Sequence, residues 1–336
     1  MVILVQQTLL FALPLMVVAL AGVFAERSGI INIALEGIMI FGAFMGVLTV
    51  RLLLQAGFTN KQGQLLLLIA ILVSAIGGVI FALLLAFASI NLKADQTIGG
   101  TALNLLAPAV VLFLVNIICK QTTLDLNSKY TPAALFMLRQ ENFGFAKTDV
   151  LNPLQQILFT KIYPTTYYAI IIYVVLSVIL YKTKFGLRLR SCGEHPQAAD
   201  SVGINVYKMR YLGTIISGAL AGFGGFIYAL TACSCQVNGD VAGLGFLALA
   251  VMIFGNWKPL NIALAALLFG MLKCISVVYG TLDINGDGVA FLKDLGISSH
   301  AYRVLPYVIT LIVLAFTSKK SRAPKAEGVP YDKGAR

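Results

Sequence analysis

Charge is scarce in this chain: Lys, Arg, Asp and Glu make up 12% of its 336 residues, while hydrophobic residues make up 59%. At a mean hydropathy of +0.88, a water-soluble domain would have no polar surface to offer, so that class is excluded. Histidine occurs twice, at His195 and His300, both in predicted loops. Cys119, Cys192, Cys233, Cys235 and Cys274 show no C-x-x-C or C-x-x-C-H spacing, and Cys233 and Cys235 are too close in sequence for an easy disulfide. A metal or redox centre is therefore not expected. The sequence lacks G-x-x-x-x-G-K-[ST], H-E-x-x-H and G-x-S-x-G. It has no phosphate-cradling loop of its own and none of the usual intramembrane hydrolase constellations, so an enzyme with a cofactor is a poor reading. The first 25 residues also lack a basic leader, and their apolar run exceeds the roughly 7–15 residues of a signal-peptide core. They read as a retained first span.

What is present is a series of long apolar runs, among them "LLLLIAILVSAIGGVIFALLLAF" and "TIISGALAGFGGFIYAL". Each approaches or exceeds the roughly 20 residues a helix needs to cross hydrocarbon. The short alternating segments of a membrane barrel are missing. The fold class is therefore all-α, a polytopic transmembrane helical bundle.

The net charge of +11 comes from cations grouped beside hydrophobic spans, which orients a membrane protein against lipid head groups and requires no nucleic acid. One group, in loop 182–210, holds Lys182, Lys184, Arg188, Arg190, Lys208 and Arg210. The other, in the tail 318–336, holds Lys319, Lys320, Arg322, Lys325, Lys333 and Arg336. Both belong on the cytoplasmic side, so an even number of spans separates them: about 211–232, 241–257, 259–282 and 303–317. Working backwards places a span at 164–181, an extracytoplasmic loop at 120–163, and earlier spans near 3–25, 28–50, 64–90 and 97–119. The total is about nine, with residues 1–317 forming one transmembrane domain. Gly42 with Gly46, and Gly218 with Gly222, form G-x-x-x-G pairs that let helix backbones approach closely.

Polar residues inside spans mark places of interest. An ionisable group at mid-span costs at least about 2.5 kcal/mol unless paired, protonated or hydrated, so Glu36 should face the bundle interior. Asn32 lies one turn earlier and would share its helix face. Together they either line a polar route or fix packing by interhelical hydrogen bonds. Lys273 either snorkels, pairs with Glu36 or meets solute. Asn104 and Asn116 are further pathway candidates. "DINGDGVAFLKD" places Asp283, Asn285, Asp287 and Asp294 at calcium-loop spacing, though Gly and Asn also simply make turns there.

The stretch "RSCGEHPQAADSVGINVYKMR" is a short water-facing segment between spans. Pro196 suits the first turn of a helix, Glu194 places negative charge near its positive end, and Gly203 fits just past its last turn. The product is a two-turn helix, either a knob for a soluble partner or a connector lying on the bilayer.

The whole stretch "GLRLRSCGEHPQAADSVGINVYKMRYLGTIISGALAGFGGFIYAL" resembles the cytoplasmic loop and following span of permeases in the simple-sugar and nucleoside branch of bacterial ABC importers. "ERSGIINIALEGIMIFGAF" and "LKADQTIGGTALNLLAP" resemble two further blocks of that family, in the same order. The resemblance runs from about residue 15 to residue 317. It implies that Glu194, Pro196, Ala198, Ala199 and Gly203 belong to a coupling helix seated in a groove on a separate ATPase subunit. Gln197 stands where importers generally carry Glu. It further implies a second permease subunit in a heterodimer, an extracytoplasmic substrate-binding protein, and a place in the bacterial cytoplasmic membrane. The alternative is a self-sufficient secondary transporter or channel for a small polar solute, which would need internal repeats or an ion-coupling pair such as Glu36 and Lys273.

Overall fold

The computed structural model describes residues 2–126, 130–146, 152–278, 301, 302, 304–306, 308, 309, 311 and 323–334. The calcium-like loop with Asp283, Asn285, Asp287 and Asp294, His300, most of the expected span 303–317 and the tail cations Lys319, Lys320, Arg322 and Arg336 lie outside the described residues. Twelve α-helices are described: α1 Val2–Glu26, α2 Leu35–Gln55, α3 Gly63–Ala86, α4 Gln96–Cys119, α5 Pro132–Phe136, α6 Pro153–Phe159, α7 Pro164–Lys182, α8 Lys184–Glu194, α9 Pro196–Ser201, α10 Val206–Thr231, α11 Leu244–Phe254 and α12 Pro259–Val278. No strand occurs among the described residues, only two isolated bridges. Seven helices (α1, α2, α3, α4, α7, α10 and α12) are long and apolar enough to cross a membrane. The expected helical membrane bundle is what the described residues form.

Local chemistry starts several of these helices. Asp95 caps α4 by accepting from the N–H groups of Thr97 and Ile98 at 2.8 and 3.0 Å, and Asn205 caps α10 by accepting from Lys208 N–H at 2.9 Å. Proline occupies the first turn of α5, α6, α7 and α9, where its missing N–H is no loss. Helix α3 ends in a π-helical turn, Phe87–Asn91.

Helices α1, α2, α3 and α10 pack through small residues at the centre. A Cβ on Gly42 would lie 2.3 Å from Gly222 Cα, and one on Gly78 would lie 2.1 Å from Gly218 O. Of the two glycine pairs read from the sequence, Gly42 thus meets Gly222 while Gly46 faces the Phe226 ring, and Gly78 of α3 packs against Gly218 and Gly222. Gly225 abuts the Met39 carbonyl and Gly224 the Val18 side chain, bringing α2 and α1 equally close to α10. Within their apolar windows α1 and α10 are 83% and 78% buried, whereas α4 is only 28% buried and stands at the periphery.

Two expected spans take a different form. Helix α2 begins at Leu35, because residues 27–34 run as turns and extended chain after α1, so the expected helix 28–50 is shortened at its start. The expected span 241–257 contains α11, whose 11 residues reach only about 16 Å, half the thickness of the hydrocarbon layer.

The chain's connections sort to the two ends of the bundle. At one, the basic end, α8 and α9 meet the connection after α1 and the tail segment 323–334. At the other, Leu124 bridges Val237, Arg51 pairs with Asp125 at 3.5 Å, and Gln6 donates to the carbonyls of Gln156 and Thr160.

Candidate functional site

Two places concentrate polar groups in this apolar molecule. The first is an interior hub where two helices are broken. Residues 31–37 leave backbone groups that no helix ladder satisfies, and α4 supplies the partners. Gln96 Oε1 accepts from Ile31 N–H at 2.7 Å, Asn104 Oδ1 accepts from Gly37 N–H at 2.8 Å, and Asn104 Nδ2 donates to Ile33 O at 2.9 Å. These amides stand eight residues apart, on one face of α4. Asn32, fully buried, donates through Nδ2 to Ser217 Oγ of α10 at 2.9 Å. Its Oδ1 has no partner among the described residues. Asn32 therefore does not share a helix face with Glu36, contrary to the spacing argument: the helix that argument assumes begins three residues later.

Glu36 instead reaches the start of α11. Its Oε1 accepts from Gly243 N–H at 3.0 Å, and its Oε2 accepts from the N–H groups of Gly245 and Phe246 at 2.6 and 3.3 Å. A carboxylate at the positive end of a half-length helix satisfies three otherwise orphaned donors. Gly245 is required by this approach, since a Cβ there would lie 2.5 Å from Glu36 Cα. From the other side Lys273 of α12 donates to Ala242 O at 3.1 Å. Glu36 and Lys273 thus grip one turn, Ala242–Gly243, in which both residues have positive φ. Asn116 is exposed on the outer face of α4, away from the hub.

The second place is the basic end. Helix α9 runs Pro196–Ser201 and is followed by Gly203 at φ +83°, the left-handed turn expected after a helix. The preceding helix α8 carries an apolar side against the bundle, with Leu189 and Cys192 fully buried. Glu194 is the last residue of α8, not a cap for α9, and its carboxylate pairs with Arg27 at 3.1 Å. Ala199 points inward at 4% exposure, against Cys192, Val206 and Tyr331. Pro196 is buried too, whereas Gln197, Ala198, Ser201, Val202 and Gly203 face outward, Val202 at 75% exposure. Beside them opens a cleft of about 590 Å³, lined by Leu187, Arg188, Ser191, Val202, Asn205 and Lys208 among others. The arrangement is a small protruding knob with an apolar tip and a basic rim.

Sequence reading missed several anchors. Glu26 accepts a 2.5 Å hydrogen bond from the only tryptophan, Trp257 Nε1, and Tyr181 donates to the Trp257 carbonyl. Arg190 lies 5.0 Å from the Tyr181 ring centroid. Close by, burial pushes the Glu327 carboxyl up to about 7 against the opposing pull of Arg27. Glu26 and Gln96 sit inside the two motif blocks and so were findable; Trp257 had only its rarity. No group of His, Cys, Asp and Glu able to hold a metal occurs among the described residues.

The family described as branched-chain amino acid transport system / permease component matches residues 4–314. The chain belongs to this permease family. It is 39% identical over 335 residues to the guanosine ABC transporter permease protein NupQ of Bacillus subtilis, covering 99% of this chain and 98% of that one. It is 40% identical over 334 residues to the nucleoside ABC transporter permease protein NupC of Lactococcus lactis, covering 98% and 97%. A third relative, the nucleoside ABC transporter permease protein NupB of Lactococcus lactis, is 29% identical over 164 residues, 48% of this chain and 44% of that one. No solved structure matches. The permease is thus a multi-pass membrane subunit of an ABC importer, a translocation pore and not an enzyme. Membership implies ATPase and substrate-binding partners.

Proposed function

We propose that this permease carries nucleosides across the bacterial cytoplasmic membrane, as one half of a heterodimer whose pathway is opened by an ATPase acting on α9. Two relatives aligned almost end to end are named for guanosine or nucleoside transport, which favours nucleosides over simple sugars. Lactococcus lactis has two permeases of this kind, NupB and NupC, which favours a pair of different subunits. The observation that carries the mechanism is the knob: Gln197, Ala198 and Ser201 of a six-residue helix, with Val202 just past its end, face outward while Pro196 and Ala199 on its other side are buried.

Small outward residues permit close seating in a partner's groove, and the basic rim complements an acidic one. In this reading Pro196 and Ala199 support the knob from within, Glu194 fastens it to Arg27, Gly203 turns the chain, and Ala198 makes the contact. The cytoplasmic loop 182–210 is the coupling loop and 120–163 the extracytoplasmic docking loop of the permease domain 1–317. Nine crossings fit the tail lying against α8: after α10, residues 233–257 return through turns and α11, and α12 goes out, which calls for one more return before the tail. Asn32, Glu36, Asn104 and Lys273 shape the pathway by holding the broken segments, whatever solute contact they also make.

The test is reconstitution with the ATPase, the second permease and the binding protein. Guanosine uptake is expected only with all components and ATP, and Ala198→Trp is expected to lower ATPase recovery by at least about tenfold, or ~1.4 kcal/mol. Uptake by this chain alone, driven by an ion gradient, would instead establish a secondary transporter. Ala199→Trp is expected to unfold the knob, since its Cβ faces Cys192 and Tyr331, and to be read as loss of folded protein.

A further inference from the structure

We propose that the tail segment 323–334 is a strap that ties the underside of α9 to the connection between α1 and α2, so that displacement of the knob moves the broken segment at the hub. This rests on the permease reading. A six-residue helix is far too short to hold itself together in water, so α9 transmits a push only if it is braced. The brace is Tyr331, 4% exposed, packed beneath Ala199 and Cys192 with Val206. Its ring stands edge-on to Tyr207, centroids 5.2 Å apart.

The same segment then fastens to everything around the knob. Ala326 N–H donates to Gly193 O at 2.9 Å, one residue before the end of α8, and Gly328 N–H donates to Gly29 O at 3.3 Å. Gly328, at φ +75°, backs onto Ile31. Arg210 at the start of α10 is 1% exposed and donates through Nη1 to Val329 O at 3.0 Å. Its Nε and Nη2 have no partner among the described residues, so removing the tail would strip a buried guanidinium of its recorded acceptor. Lys93 pairs with Asp332 at 2.7 Å, an exposed contact that steers docking more than it stabilises it. One strand of chain thus touches α8, α9, α10 and residues 29–31. Residue 31 is held by Gln96 and its neighbour Asn32 by Ser217, at the hub itself. The path from knob to hub is short and built of packed or hydrogen-bonded groups, which is what mechanical coupling needs.

Tyr331 is then a positioning residue for ATP-driven transport. Cys192, fully buried against it and with its thiol pushed by burial up to about 11, reports whether the strap is seated. The experiment uses the complete reconstituted importer with Cys119, Cys233, Cys235 and Cys274 changed to serine. It reads labelling of Cys192 by a membrane-impermeant maleimide, ATPase recovery, ATP hydrolysis and solute moved per ATP. The unaltered strap should protect Cys192. Tyr331→Ala should speed labelling and lower solute moved per ATP, each by at least about tenfold, because removing a buried ring opens a cavity, while ATPase recovery and hydrolysis persist. Tyr331→Phe keeps the buried ring and should restore both.

Exposed Cys192 with unchanged solute per ATP would overturn the strap. So would uptake, hydrolysis and protein yield falling in proportion, which marks a purely structural residue. Absence of ATPase recovery and ATP-dependent uptake in the Tyr331 parent would overturn the permease reading and the strap with it.

Discussion

Gly222→Leu is expected to leave no folded permease. The backbone of α10 at Gly222 touches two helices at once: a Cβ there would lie 2.4 Å from Ser74 O and 2.9 Å from Gly78 Cα, while a Cβ on Gly42 would strike Gly222 Cα from the other side. Overpacking usually costs about 1–3 kcal/mol because neighbouring side chains can turn away. Here the obstructing atoms are α3 backbone, which cannot turn, so α3 must withdraw from α10 or α10 must be driven onto the Gly42 backbone behind it. Lipid offers no hydrophobic drive to bring them back. Size-exclusion in mild detergent should show aggregate in place of a single species. Gly99→Ala is the control: its Cβ meets only Leu85 Cδ1 at 3.5 Å, ordinary contact, and a folded protein is expected. A monodisperse Gly222→Leu protein with normal uptake would show that α10 does not seat on α2 and α3 through this glycine.

The second large effect is expected at Glu36. Changing it to alanine removes the acceptor from the N–H groups of Gly243, Gly245 and Phe246. Each buried donor left unsatisfied costs about 1–3 kcal/mol, and the start of α11 loses the negative charge that its dipole favours. Lys273, still donating to Ala242 O, would hold the turn from one side alone. The unfolding temperature in detergent should fall together with nucleoside uptake, the latter by at least about tenfold for ~1.4 kcal/mol of displaced equilibrium. Glu36→Gln keeps one carbonyl acceptor and should sit between the two. If the alanine variant melts like the parent but shows a raised apparent KM, Glu36 contacts solute and its role at α11 is secondary.

Both effects arise from groups that the sequence pointed to for another reason or only in part. Gly218 and Gly222 were legible as a close-packing pair with Gly42 and Gly46, because G-x-x-x-G is a local pattern. That Gly78 completes the seam was not, since its only mark is a neighbouring Gly77. Glu36 was legible as an interior group from the cost of a mid-span carboxylate. Its supposed partnership with Asn32 failed because Ile30, Ile31, Ile33 and Ala34 are as apolar as a helix would be and hide the break. Ala199 was read as part of the contact surface, yet it supports the knob from beneath while Ala198 and Val202 face out.

By itself the sequence determined the membrane class, the close-packing glycine pairs and the existence of a short helix after Pro196. Hydropathy and capping are local properties, written in residues a turn or less apart. Only the tertiary structure decided where helices break and which face of α9 is free. The partners that satisfy residues 31–37 are Gln96 and Asn104, 65 to 71 residues away, and the brace beneath α9 comes from Tyr331 at the far end of the chain. Backbone groups left open in an apolar interior must find acceptors and donors somewhere, and no local pattern says which distant side chain will arrive.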